Sequence, residues 1–131
     1  MKIYCDTNIY LDYLLERKNL SNKKISNPAY KIFLRTLECE FKIIISDHVL
    51  RELYANIEVE KAKILFSFLK IKIILVKTLN KDKIKASEYS NYNDALHAII
   101  ANRFNAQIMV TRNIKDFKEF SFIKSKLPEQ I

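Results

Sequence analysis

Short apolar runs alternate along the chain with longer segments in which apolar residues recur every three to four positions. The runs have the length and the Ile- and Val-rich composition of buried strands, and they lie at residues 2–5, 41–45, 71–76 and 107–111. A weaker run near Phe122 is a candidate fifth strand. The pattern therefore predicts strands and helices in alternation.

The segments between the runs carry helix start signals. The first predicted helix begins at Thr7, and the second begins at an Asn27–Pro28 pair with proline in the first turn. Ser46 and Asn93 are residues of the type that caps helices, and each precedes an apolar stripe. This order predicts an α/β protein, a three-layer α/β/α sandwich with a central, mostly parallel sheet of four to five strands. The first strand should lie near the centre, between the second and the fourth.

Composition supports one globular domain over residues 1–131. The chain is 49% hydrophobic and 29% charged, and it holds two cysteines, too few for a disulfide framework. No apolar run approaches the roughly 20 residues of a membrane span, and the start of the chain lacks the apolar core of a secretory signal, so we expect a cytoplasmic protein with no membrane partner.

Glycine is absent, which excludes the glycine-dependent phosphate loops of most nucleotide-binding enzymes.

The chain is basic, with a formal net charge of +8. Residues 1–65 hold eleven basic and nine acidic residues, whereas residues 66–131 hold twelve and six. Such an excess favours a polyanionic partner such as nucleic acid, although a lysine-rich proteome would produce it as well.

Four acidic residues are predicted to meet at one edge of the sheet. In a parallel sheet the carboxyl ends of the strands and the following helix starts share an edge, where ligands bind. Asp6 follows the first strand, Glu52 lies in the helix after the second, Asp94 lies in a first helical turn, and Asp116 follows the fourth strand. Clustered carboxylates repel one another unless a cation joins them, and oxygen ligands suit Mg²⁺ or Mn²⁺. A metal bound by these four acids on a basic protein is an arrangement typical of a nuclease. We call Asp6, Glu52, Asp94 and Asp116 the acidic cup.

Each of these residues also has a structural interpretation. Asp6 could cap the following helix, Asp94 favours a helix dipole in any protein, and Glu52 and Asp116 alone are ordinary surface acids. Other candidates are weaker. His97, one turn after Asp94, could touch substrate, but we expect it at the surface. We also expect a solvated Asp12, and His48, four residues before Glu52, has no metalloprotease motif around it.

Four segments together resemble the signature blocks of PIN-domain proteins, in particular the VapC-type toxins of toxin–antitoxin pairs. They are DTNIYLDYL from Asp6, ISDHVLREL with Glu52, NDALHAIIA with Asp94, and VTRNIKDF with Asp116. The resemblance covers nearly the whole chain, and its first and last two blocks are the more specific ones.

The resemblance implies a Mg²⁺- or Mn²⁺-dependent endoribonuclease with an RNA substrate, a homodimer, and a cognate antitoxin as inhibitor. Asp6, Glu52 and Asp94 match the family's three main acids. Many relatives have Asp where this chain has Asn113, and others use the later acid, so we assign the fourth position to Asp116. Asn8, Thr111, Arg112 and Asn113 are expected to support the site, with Thr111 holding a carboxylate and Arg112 contacting phosphate or forming the rim.

Two alternatives to a metal-dependent ribonuclease remain. The first is a non-catalytic PIN-like module that binds RNA or a protein, which the retention of three mutually repelling acids disfavours. The second is a phosphatase of the haloacid dehalogenase type, which also begins with a strand and an aspartate. That chemistry needs a second acid two residues later, where this chain has Asn8.

Overall fold

A computed structural model describes all residues, 1–131, as one five-stranded sheet covered by helices. The strands are β1 (Lys2–Cys5), β2 (Lys42–Ser46), β3 (Ile73–Val76), β4 (Ile108–Val110) and β5 (Ser125–Lys126). The helices are α1 (Thr7–Leu14), α2 (Ser26–Leu37), α3 (Asp47–Tyr54), α4 (Val59–Leu69), α5 (Asn80–Ala86), α6 (Tyr92–Arg103) and α7 (Ile114–Phe117). None of the helices is both long and apolar enough to cross a membrane.

The sheet is entirely parallel, with the strand order β3-β2-β1-β4-β5. The predicted α/β/α fold is confirmed, including the central position of β1 between β2 and β4. The apolar residues of β1 and β2 are almost completely buried, which explains why these strands are continuous apolar runs rather than alternating ones.

The direction of the crossovers places the helices on two faces. The chain moves from β1 to β3 in one direction, and α1 to α4 contact one another along that path. It then returns across the sheet to β4 and β5, and α6 contacts both α5 and α7 there. Right-handed crossovers in opposite directions lie on opposite faces of a sheet. The switch point therefore falls between β1 and β4, where open α/β sheets form a ligand crevice.

Two predicted helix caps differ from the structure. Helix α6 is capped by Asn91, whose side chain accepts from the backbone N–H of Asp94, and not by Asn93. Helix α2 begins at Ser26 with no side-chain cap, so Asn27 lies inside its first turn together with Pro28. The predicted Ser46 cap is confirmed, because its Oγ accepts from the Val49 N–H.

Candidate active site

Asp6 lies at the carboxyl end of β1, next to the switch point, and is fixed on both carboxylate oxygens. Its backbone N–H donates to Val110 on β4, and its Oδ1 accepts from the N–H groups of Asn8 and Ile9 at the start of α1. Its Oδ2 accepts a 2.5 Å hydrogen bond from the Thr111 hydroxyl. Burial raises the pKa of Asp6, although these hydrogen bonds and the nearby His97 oppose the rise. Asp6 is thus both a helix cap and a rigidly held buried acid.

Glu52 points from α3 into a set of polar side chains. Its Oε1 accepts hydrogen bonds from the Thr7 hydroxyl at 2.8 Å and from His97 Nε2 at 2.6 Å. Burial opposes ionisation of Glu52, but the hydrogen bonds from His97 and Thr7 and the proximity of the His97 ring outweigh it and hold the pKa of Glu52 at about 2. Glu52 Oε2 makes no hydrogen bond within the chain, so the carboxylate keeps a free oxygen.

His97 lies between Glu52 and a buried hydroxyl pair. Its Nδ1 is 2.7 Å from the Tyr4 hydroxyl, which in turn is 2.7 Å from Ser46 Oγ. Since an ionised carboxylate only accepts, His97 Nε2 donates to Glu52, and a neutral ring then accepts from Tyr4 at Nδ1. The prediction of a surface histidine is wrong, because His97 is only 3% exposed.

Asp94 lies in the first turn of α6 and is partly buried. Its Oδ2 accepts a 2.6 Å hydrogen bond from the Asn91 side-chain amide. Burial is the largest cause that raises the pKa of Asp94, and the negative charges of Asp6, Asp116 and Glu52 raise it further. The charges of the other three predicted acids therefore all raise the pKa of Asp94, and His97 lowers it.

Asp116 and Asn113 occupy the turn after β4. Asn113 is the N-cap residue of the short helix α7, and its N–H donates to Thr111 Oγ1. Asp116 is exposed in that helix and makes no hydrogen bond through its side chain. Thr111 thus connects this turn to Asp6.

Two predicted supporting residues have structural contacts instead. Arg112 donates to Asp12 at 2.7 Å, to Glu129 at 3.0 Å and to the Ile25 carbonyl. Asp12 is only 2% exposed, so the expectation of a solvated Asp12 is wrong. The exposed Asn8 side chain accepts from Arg17. Arg112 therefore joins α1 to the end of the chain, rather than projecting as a free cation.

Sequence reasoning missed the ring contacts of both histidines. His48 Nε2 is 3.7 Å from Glu52 Oε1, and the two imidazole centroids are 4.5 Å apart. Burial and the neighbouring His97 lower the pKa of His48 to about 4. The i to i+4 spacing of His48 and Glu52 was the one sequence signal for the contact between them. No sequence spacing joins His97 to this pair.

An open groove runs past Glu52. Arg51, Lys83 and Tyr92 line it together with His48 and Glu52. The Tyr92 ring is 38% exposed and accessible from the groove. The ring of the nearby Tyr89 is not available in the same way, because it packs against Phe120 with ring centroids 5.2 Å apart. The groove therefore offers two cations and one accessible aromatic ring beside the acidic residues.

Solved structures of two VapBC complexes contain chains with the same fold. One is VapBC2 from Rickettsia felis bound to a DNA fragment from their promoter, with a TM-score of 0.62, 24% identity, and coverage of 97% of this chain and 98% of that chain. The other is VapBC-1 from nontypeable Haemophilus influenzae, with a TM-score of 0.62, 17% identity, and coverage of 98% and 99%. No family model and no curated protein matches the sequence. The chain therefore has the PIN-like fold found in these complexes.

Proposed function

We propose that this protein is a divalent-metal-dependent endoribonuclease of the VapC type, the toxin of a type II toxin–antitoxin pair. The proposal combines the PIN-like fold with the acidic residues at its ligand edge. It assigns catalysis and metal binding to Asp6, Glu52, Asp94 and Asp116.

The observation that carries the proposal is the electrostatic coupling of Asp94. Burial raises the pKa of Asp94 most, three other carboxylates from different parts of the chain raise it further, and His97 alone lowers it; the chain supplies no lysine or arginine hydrogen bond to Asp94. Carboxylates that raise one another's pKa are costly to keep ionised unless a cation joins them. The donor set is mostly carboxylate oxygen, which fits Mg²⁺ or Mn²⁺.

Asp6, Glu52, Asp94 and Asp116 would hold the metal, which when bound supplies an activated water and offsets charge on the phosphate. The chain orients these ligands in advance. Thr111 fixes Asp6, Thr7 and His97 fix one oxygen of Glu52, and Asn91 fixes Asp94. Such outer hydrogen bonds keep a carboxylate in one orientation and preserve its affinity for the metal.

The groove beside Glu52 suits a single RNA strand. Arg51 and Lys83 can neutralise phosphates, and the exposed ring of Tyr92 can stack on a base. We assign no phosphate to Arg112, because each of its three guanidinium nitrogens already donates a hydrogen bond, to Asp12, Glu129 or the Ile25 carbonyl.

The proposed partners are a cognate antitoxin and a second copy of the chain. Both solved neighbours are VapBC complexes, which supports a partner protein here. An antitoxin that inhibits cleavage and a homodimer are the family's arrangement, and we extend both to this protein, which we expect to act in the cytoplasm.

The test is incubation of the purified protein with total cellular RNA, with Mg²⁺, with Mn²⁺ and with chelator, followed by mapping of new 5′ ends. We expect new ends at defined positions only in the presence of metal. RNA that is bound but stays intact under every metal condition would instead support the non-catalytic module.

A further inference from the structure

Both histidines of the chain lie against the same glutamate. His48 and His97 are the only two histidines in the sequence, they come from α3 and α6, and the ligand atoms of His48, Glu52 and His97 all lie within 4.8 Å of one another. Two imidazoles and one carboxylate are the ligand set of several three-residue zinc sites that keep a fourth position open.

A buried and unpartnered nitrogen points to a missing ligand. His48 is 7% exposed, and its Nε2 has no hydrogen-bond partner in the chain. Its nearest carboxylate oxygen, Glu52 Oε1, is 3.7 Å away, beyond hydrogen-bond distance. An imidazole nitrogen that is buried without a partner is costly, and a metal ion between His48, His97 and Glu52 would satisfy it.

We propose that His48, His97 and Glu52 form a binding site for a borderline divalent metal, with Zn²⁺ as the best-fitting ion. Zinc bonds of about 2.0–2.1 Å place tetrahedral ligand atoms roughly 3.3 Å apart. The observed separations of 2.6 Å from His97 and 3.7 Å from His48 to Glu52 lie on either side of that value. Small rotations of the side chains would therefore complete the site.

The hydroxyls behind His97 can support either ring tautomer. A zinc-bound Nε2 requires the ring proton on Nδ1, where it would donate to the Tyr4 hydroxyl. Tyr4 would then donate to Ser46 Oγ, the reverse of the direction in the metal-free ring. Because hydroxyl hydrogens rotate freely, both contacts persist with donor and acceptor exchanged, and the Ser46 hydroxyl hydrogen is the group that gives up its acceptor.

The site is accessible and differs in chemistry from the acidic cup. His48 and Glu52 line the open groove, which leaves room for water at the fourth position. Nitrogen ligands select Zn²⁺ over Mg²⁺, which prefers oxygen. Glu52 belongs to both sites, so Zn²⁺ at the histidines would draw this carboxylate away from the cup and add positive charge beside it. If the proposed function holds, Zn²⁺ therefore antagonises cleavage supported by Mg²⁺.

The experiment measures metal binding without RNA, so its outcome does not depend on nuclease activity. The protein carries Cys39→Ser, which removes the exposed thiol as a competing ligand, and has no histidine tag. Zn²⁺ is titrated by calorimetry in a Mg²⁺ buffer, and Co²⁺ is titrated by visible absorption as a reporter of coordination. We expect one site per chain, with affinity for Zn²⁺ reduced about tenfold by Tyr4→Phe and at least that much by His48→Gln.

A second measurement needs no substitution in the site. Two histidines give two Cε1–H imidazole signals in a ¹H–¹³C spectrum of the Cys39→Ser protein, and one equivalent of Zn²⁺ added in a Mg²⁺ buffer should shift both. Undisturbed imidazole signals, or equal Zn²⁺ affinity in the Cys39→Ser protein and its His48→Gln derivative, would overturn the site.

The regulatory part is tested separately with an RNA substrate in Mg²⁺. For each protein, the cleavage rate with Zn²⁺ is divided by its own rate without Zn²⁺. We expect this ratio to fall in the wild type and to stay near one in His48→Gln. Equal inhibition of both proteins, with Zn²⁺ binding confirmed by calorimetry, would overturn the regulation and leave the metal site standing.

Discussion

At the residue scale, the position of Glu52 depends on residues that lie far away in the sequence. Thr7 at the start of α1 and His97 in α6 both donate to the same carboxylate oxygen. Fixing one oxygen in this way reduces the conformational freedom that Glu52 would lose on binding a metal, and it leaves the other oxygen available.

His48 should make the stability of the protein depend on pH. Its pKa is about 4 in the fold against an ordinary 6.5, so between these values the unfolded chain binds a proton that the folded chain does not. Stability is then complete above pH 6.5 and falls as the pH is lowered towards 4. From pH 7 to pH 5 the expected loss is about 2 kcal/mol.

The measurement is urea unfolding in chelator at pH 7, 6 and 5, with His48→Gln as the comparison. The variant should lose less stability than the wild type over this range. Parallel pH curves for the two proteins would mean that His48 titrates normally in the fold.

At the scale of single elements, the cap of α6 offers a matched pair of substitutions. Asn91 caps the helix, whereas Asn93, two residues later, lies inside its first turn. Asn91→Ala should lower the free energy of unfolding by about 1 kcal/mol, and Asn93→Ala should change it by less than about 0.5 kcal/mol. Denaturant unfolding of both variants tests the assignment, and the reverse ranking would restore the cap predicted from the sequence.

Arg112 should matter for stability rather than for RNA. It pairs with Asp12, a carboxylate with almost no exposure, so Arg112→Ala leaves a buried charge poorly compensated. We expect a loss of about 3 kcal/mol in the free energy of unfolding. Lys118→Ala removes an exposed cation after α7 and serves as the control. Unchanged stability together with sharply weaker RNA binding in Arg112→Ala would favour a phosphate contact.

Strands were easier to predict from the sequence than helix ends. β1 has the predicted bounds because its apolar run is short and flanked by Lys2 and Asp6, whereas β3 begins two residues late, since a 3₁₀ turn occupies Lys70–Lys72. Helix ends lacked their usual signal, because the chain has no glycine. Glu16, Cys39 and Asn105 instead take the left-handed conformation just after α1, α2 and α6.

The placement of Asp6, Asp94 and Asp116 beside strand ends or helix starts could be predicted from the alternation of strands and helices. Their hydrogen-bond partners could not. A histidine at position 97 has the same local sequence whether it faces solvent or Tyr4, and the two residues are 93 positions apart. The predicted site residues themselves remain a proposal that the variants below address.

At the scale of the whole molecule, the charge distribution predicts how RNA binding responds to salt. The protein carries a net +8, most of it in residues 66–131. Each phosphate that a lysine or arginine neutralises releases counterions, so affinity should fall at least about tenfold between roughly 50 and 200 mM salt. Filter binding of a catalytically silent variant to a single-stranded RNA measures this slope.

The same assay locates the RNA-binding surface. Neutralising lysines in residues 66–131 should reduce the salt slope more than neutralising the same number in residues 1–65. An affinity that does not change with salt would mean that the basic surface does not bind nucleic acid.

The central claim, that a metal held by the four acids drives RNA cleavage, is tested most directly by Asp94→Asn. The substitution keeps the side-chain shape and an oxygen that can accept from Asn91. It removes the negative charge of a carboxyl group whose pKa is raised by burial and by the other three carboxylates. Cleavage in Mg²⁺ and melting temperature in chelator are measured on the same preparation. We expect loss of cleavage with an equal or higher melting temperature, because the substitution relieves a repulsion between carboxylates. A variant that melts lower and still cleaves RNA at the wild-type rate would contradict the claim.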